Sequence, residues 1–229
     1  GRSSITHSLY AGIQLVMPGE IAPAHRHSQS ALRFVLEGVD GYTSVDGERT
    51  SMHPGDLVIT PSWTWHDHGN FTDHPMIWLD VLDIPLVSLL GATFAEASNV
   101  DSQDVRKPPG DSDARFANNL FPVDWRPGSA NSPIFNYPYE RSRAVLSTLA
   151  RTDEPDPCHG HKLRYVNPVT GGSVVPTIGA CVQLLPAGFR GAPYRSSDAT
   201  IFCVLEGEGQ TRIGDAILRW KPRDIFVVP

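Results

Sequence analysis

Three short phrases occur twice in this chain, and that repetition restricts its fold more than any other feature. Gln14-Leu15-Val16-Met17-Pro18-Gly19 has a counterpart in Gln183-Leu184-Leu185-Pro186-Ala187-Gly188. Val35-Leu36-Glu37-Gly38 has one in Val204-Leu205-Glu206-Gly207, and His53-Pro54-Gly55-Asp56-Leu57 in Lys221-Pro222-Arg223-Asp224-Ile225. An internal duplication predicts two similar units in one chain. In the first copy the apolar runs are short. Tyr10 to Met17 alternates, the segment opened by His25 runs through Leu36, and Gly41 to Val45 and Arg49 to Met52 flank an Asp46-Gly47 hairpin turn. Leu57 to Thr60 and Met76 to Ile84 follow. Many short strands at this spacing predict an antiparallel barrel or sandwich.

His25 and His27 are two residues apart, so on an extended chain both imidazoles point to one side. If no bulge intervenes, Gln29 and Arg33 share that parity. His66 brings a third nitrogen from a later strand. Three neutral imidazoles with open positions beside them describe a catalytic transition-metal site rather than a closed structural one. Registering the two copies on their Glu-Gly pairs sets Tyr194 opposite His25 and Ser196 opposite His27. The second unit is therefore expected to carry the scaffold without ligands. His159-Gly160-His161 beside Cys158 mimics a ligand cluster, but it lies in a Pro-rich turn without a companion pair. Trp63 and Trp65 are expected to pack the barrel mouth.

From Pro85 the texture changes. Leu86 to Glu96 and Ser142 to Ala150 are short helix candidates, and Ala97 to Ser132 has the Asp, Ser, Asn, Gly and Pro content of a surface linker. The expected domains are 1–96, a metal-bearing barrel; 97–150, a linker with a short helix; and 151–229, a second barrel. The chain does not begin with Met and stops at Val227-Val228-Pro229, so we expect it to be part of a longer chain. A formal charge of -6 without basic runs gives no footprint for nucleic acid, and no apolar run reaches membrane-spanning length. Three cysteines without CxxC spacing fit a reducing cytosol.

The spacing Pro18-Gly19, His25, His27, Glu37-Gly38 resembles the first motif of the cupin superfamily, and Pro54-Gly55-Asp56, Pro61, His66 the second. Residues 24–38, 60–70 and 78–87, with NYPYERSRAVL at 136–146 and RYVNPVTGG at 164–172, are similar to the gentisate 1,2-dioxygenase family of bicupins. Salicylate and 1-hydroxy-2-naphthoate dioxygenases share much of this pattern. The resemblance implies an all-β bicupin of two antiparallel jelly-roll barrels with short helices in the linker. It further implies Fe(II)-dependent cleavage of gentisate by O2 to maleylpyruvate, with His25, His27 and His66 as ligands. A cytoplasmic homo-oligomer, a tetramer by resemblance, acting on a small aromatic hydroxy acid follows from it. An arginine that helps hold the substrate in the family would fall before Gly1.

Around these ligands each polar side chain has a functional and a structural reading. Arg33 either holds the substrate carboxylate or sits in an interior ion pair. Gln14, near the substrate by resemblance, is otherwise a buried amide satisfied by backbone. Tyr10 either hydrogen-bonds a second ring hydroxyl, which gentisate has and salicylate lacks, or packs in the core. His68 is a proton donor or acceptor near bound oxygen, or a loop cap through Asp67 or Asn70. Asp80 orients an imidazole or the substrate hydroxyl, or is structural. A metal-containing binding or sensory module is the alternative outside enzymology.

Overall fold

The structure, a computed structural model, describes residues 4–229. Its first part is built from β1 (Tyr10–Val16), β2 (Ile21–His27), β3 (Ala31–Glu37), β4 (Gly41–Val45), β5 (Glu48–Met52), β6 (Leu57–Thr60), β7 (His66–Gly69) and β8 (Met76–Leu82). Then come α1 (Ile84–Leu89), β9 (Ala95–Ala97), α2 (Asp111–Phe116), β10 (Asn136–Tyr137) and α3 (Tyr139–Thr152). The remainder is β11 (His161–Arg164), β12 (Cys181–Leu184), β13 (Thr200–Cys203), β14 (Gly209–Ile213), β15 (Ala216–Trp220) and β16 (Ile225–Val228).

Two antiparallel sheets face one another, in the orders β1-β8-β3-β6-β10 and β5-β4-β7-β2-β9. Asp46 and Gly47, at φ 48° and 78°, make the expected tight turn between β4 and β5. Gly38 holds φ 87°, and a Cβ there would collide with Met76, so the β3–β4 corner closes only on glycine. Between the sheets pack Val16, Val35, Met52, Val58, Met76 and Trp78. The outer face of the first sheet is covered as well. Leu32, Leu57, Ile59, Leu79 and Val81 pack against Tyr165, Val174, Val175, Ile178 and Ala180 from the second half. Burial on both faces is why β3 and β6 read as nearly continuous apolar runs.

Several expectations are corrected here. The segment from His25 to Leu36 is not one strand. The chain bends at Ser28-Gln29-Ser30, so β2 and β3 belong to opposite sheets and parity does not carry from His27 to Arg33. The helix expected over Leu86 to Glu96 ends at Leu89, and Ala95–Ala97 instead pairs with β2, where backbone pairing outweighs helix propensity. The expected linker is packed onto the barrel. Gln103 donates to the carbonyls of Ser44 and Trp65 and accepts from the Gly47 N–H, and the buried Glu48 carboxylate accepts from both the N–H and the hydroxyl of Ser112.

The second copy keeps the pairing of the first. β13 with β16 reproduces β3 with β6, and β14 with β15 reproduces β4 with β5. Among the described residues these form separate two-stranded ladders rather than a closed barrel. Tyr194 and Ser196 lie in an exposed segment outside any strand, so no counterpart of β2 forms around them.

Candidate metal centre

Pro23 has no N–H to give to a ladder, and the pairing of β2 with β7 shifts register between Ala22 and His25. Past that irregularity His25 stands opposite His66, and His27 follows on the same face. The three rings converge, with candidate ligand atoms all within 4.8 Å of one another. His66 is buried, whereas His25 and His27 are half-buried and leave the group open on one side.

Each ring is held in the same way. Nδ1 of His25 lies 2.7 Å from the carbonyl of Pro23, Nδ1 of His27 2.8 Å from that of Gln29, and Nδ1 of His66 2.8 Å from that of Thr64. A carbonyl only accepts, so Nδ1 carries the hydrogen in all three rings and each Nε2 keeps a free lone pair. Burial lowers His66 to about 2 and lowers His27. Neutral rings with converging lone pairs repel one another unless a cation sits between them. The residues therefore fit a divalent transition metal, and imidazole alone does not select among iron, zinc, copper and nickel.

Arg33, Asp80, His68 and Thr43 form a buried network beside this group. Arg33 faces Asp80 directly across β3 and β8, with Nη2 to Oδ1 at 2.9 Å. Trp78 Nε1–H donates to the other Asp80 oxygen at 3.0 Å. Thr43 directs its hydroxyl hydrogen to Met52 Sδ and accepts from Arg33 Nη1 at 3.1 Å. His68 Nδ1 lies 3.0 Å from the Thr43 oxygen and 3.2 Å from Arg33 Nη1, and its Nε2 lies 3.1 Å from Arg33 Nη2. Burial, reinforced by the Arg33 charge, holds His68 well below the ordinary imidazole range. His68 is thus a neutral imidazole bound to Arg33 and Thr43, not an imidazolium donor and not a cap on Asp67 or Asn70. Asp80 orients the guanidinium rather than a histidine. Arg33 Nε–H is buried without a hydrogen-bond partner among the described residues.

On β1, Tyr10, Gly12 and Gln14 stand opposite Leu82, Asp80 and Trp78 and share the inward parity. Tyr10 and Gln14 are half-buried at the rim of the same interior. Gly12 was not visible as a site residue from the sequence. A Cβ there would stand 2.5 Å from the Tyr10 hydroxyl, so the missing side chain is what lets the phenol lie along the wall. An isolated glycine inside an alternating strand was the available signal. Thr43 was also missed, because nothing in sequence separates a network threonine from an ordinary strand residue. His159 meets Tyr194 edge to face and His161 is buried at the start of β11, far along the chain from the triad. Trp63 and Trp65 are half-buried and lie against Arg26.

The cupin domain family matches residues 12–82. The chain is 57% identical over 229 residues to gentisate 1,2-dioxygenase 1 of Aquipseudomonas alcaligenes, covering all of this chain and 66% of that protein. It is 39% identical over 241 residues to the gentisate 1,2-dioxygenase of Haloferax sp., covering 67% of it. The crystal structure of the salicylate 1,2-dioxygenase from Pseudaminobacter salicylatoxidans superposes with a TM-score of 0.84 at 33% identity, over 100% of this chain and 67% of that one. The same enzyme solved with gentisate gives 0.85. The chain thus spans about two thirds of the length of the relatives it matches.

Proposed function

This chain belongs to the gentisate 1,2-dioxygenase family of cupins, and on that premise we propose that it carries the iron site of a ring-cleaving dioxygenase that converts gentisate and O2 to maleylpyruvate. The observation that carries the reading is the triad His25, His27 and His66, each Nδ1 tied to a carbonyl, beside a buried arginine with a free Nε–H. Bound there, Fe(II) supplies a redox-active centre with room for a chelating carboxylate and hydroxyl and for O2.

The protein's own groups do the rest. Asp80 fixes the Arg33 guanidinium by ion pairing, and the Arg33 Nε–H is offered to the substrate carboxylate, whose desolvation needs a compensating donor. His68, kept neutral by burial and held between Arg33 and Thr43, fixes that edge of the pocket without taking up a proton. Half-buried on the face of β1 opposite Leu82 and Trp78, Tyr10 and Gln14 are assigned the second ring hydroxyl of gentisate and its other polar substituents. Val35, Val58 and Trp78, fully buried behind the Arg33 network, keep water from it.

Relatives named for salicylate and for 1-hydroxy-2-naphthoate keep those substrates as the second reading. The proposal includes a homo-oligomer in the cytosol. Three free cysteines fit that compartment, and among the described residues no helix is long and apolar enough to cross a membrane. The test is anaerobic Fe(II) loading of the protein followed by gentisate and air, with O2 consumption and maleylpyruvate absorbance as readouts. One metal per chain with O2 uptake is expected. Metal binding without uptake turns the reading to a binding module, and faster turnover of salicylate or 1-hydroxy-2-naphthoate reassigns the substrate.

A further inference from the structure

Alternation along β2 sends His25 and His27 inward and Arg26, between them, outward. The Arg26 guanidinium lies over two indoles, 4.5 Å from the Trp63 ring centre and 4.7 Å from that of Trp65. Its free side is paired with Glu96, Nε to Oε2 at 2.8 Å, and Glu96 stands directly opposite Arg26 in the pairing of β2 with β9. These two tryptophans bracket Thr64, whose carbonyl fixes Nδ1 of His66. Trp63 also donates its backbone N–H to the carbonyl of His27 at 2.8 Å, and its ring packs on Phe94 at 5.1 Å between centres.

Trp63 holds φ 59°, a conformation that a bulky side chain rarely adopts and that persists only where its surroundings impose it. What imposes it here is the contact with His27, Phe94 and Arg26. One outward side chain therefore joins the strand bearing two ligands to the loop delivering the third. Arg26 and Glu96 are 27% and 47% exposed, so their ion pair is screened and weak by itself. The guanidinium, lying over two aromatic rings, carries most of the restraint.

We propose that Arg26 is a positioning residue that sets the His66 arm against the His25 and His27 strand, and so governs how tightly and in what geometry the triad holds a metal. The inference rests on the triad being a metal centre. Arg26 itself points away from substrate and metal.

The test uses Co(II) titration of the metal-free protein, read by visible d–d absorption, with thermal unfolding of the metal-free forms as the structural control. Arg26→Met is expected to weaken Co(II) binding by about 10- to 100-fold, the range found when groups that orient metal ligands are removed, and to shift the absorption envelope. Arg26→Lys is expected to recover only part of the affinity, because it restores the charge without the planar face. Glu96→Gln is expected to give the smallest change. An Arg26→Met protein with the parent's Co(II) affinity and spectrum overturns the inference alone. A parent protein that binds no Co(II) overturns the metal-centre reading and this inference with it. If Arg26→Met does not fold, unchanged affinity and spectrum in both Arg26→Lys and Glu96→Gln overturn the inference.

Discussion

His66 and His68 are placed where an imidazole cannot take up a proton, and that makes the metal-free protein acid-sensitive. Burial lowers His66 to about 2, and His68 and His27 are shifted in the same direction. An unfolded imidazole titrates near 6.5, so below that pH the unfolded chain binds protons that the folded chain refuses. Stability then falls as pH drops, by up to about 1.4 kcal/mol per pH unit for each such group. Urea unfolding of the metal-free protein should show this decline between pH 7 and 5; a flat profile contradicts the assigned burial. Arg33→Lys removes the Nε–H and the fork. A hydrogen bond to a charged group is worth about 1.5–3 kcal/mol, so KM for gentisate should rise by roughly tenfold or more at unchanged metal content, and an unaltered KM removes Arg33 from the substrate. Tyr10→Phe should lower kcat/KM for gentisate about tenfold while leaving salicylate nearly unaffected; equal losses on both argue for a packing role. The convergence of His25 and His27 was legible in the sequence because i, i+2 spacing survives on one strand, and His66 stands opposite His25 in the pairing of β2 with β7. The partners of Arg33 were not legible, because its parity with His27 is broken at Ser28-Gln29-Ser30 and only the pairing of β3 with β8 sets Asp80 across from it.

At the scale of elements, what could be read was what is local. The β4–β5 hairpin follows from Asp46-Gly47 alone, since two adjacent residues at positive φ make the turn and fix the register. α3 extends over Tyr139–Thr152, three residues earlier and two later than its apolar stripe indicates, with Pro138 marking its entry. β9 was illegible because Ala95-Glu96-Ala97 is too short to establish a period and lacks β-favouring residues. Its strand conformation comes from β2, a partner about seventy residues away in sequence. β6 shows the energetic side of the same rule. Leu57 and Ile59 face the second half while Val58 faces the barrel interior, and all are fully buried. Ile59→Ala should therefore cost about 2–5 kcal/mol in urea unfolding. A loss below about 1 kcal/mol would mean that the outer face of β6 is not closed.

Over the whole molecule, the duplication predicts two like units, and two strand pairings of the first copy recur in the second without giving two independent bodies. The sheet that carries Arg33 and Asp80 on its inner face is the same sheet whose outer face packs on Val174, Val175 and Ile178. Asp83 strengthens the join, accepting from the Ser30 N–H at the bend that follows the ligand strand and from the Thr177 hydroxyl of the second half. Sequence repetition could not show this, because a repeat encodes what each unit is and not which face it turns to its twin. A chain cut after residue 96 would expose Leu32, Leu57, Ile59, Leu79 and Val81 together, a contiguous apolar face that soluble monomers rarely leave open. Such a chain, though it keeps all three ligands, is expected to aggregate or to pair through that face on size exclusion, while the 229-residue chain unfolds in one transition. If residues 1–96 ran as a monomer with cooperative unfolding, the second half would be an appendage. The expected result makes it the outer wall of the sheet that orients Arg33, and thereby a support of the site it does not enter.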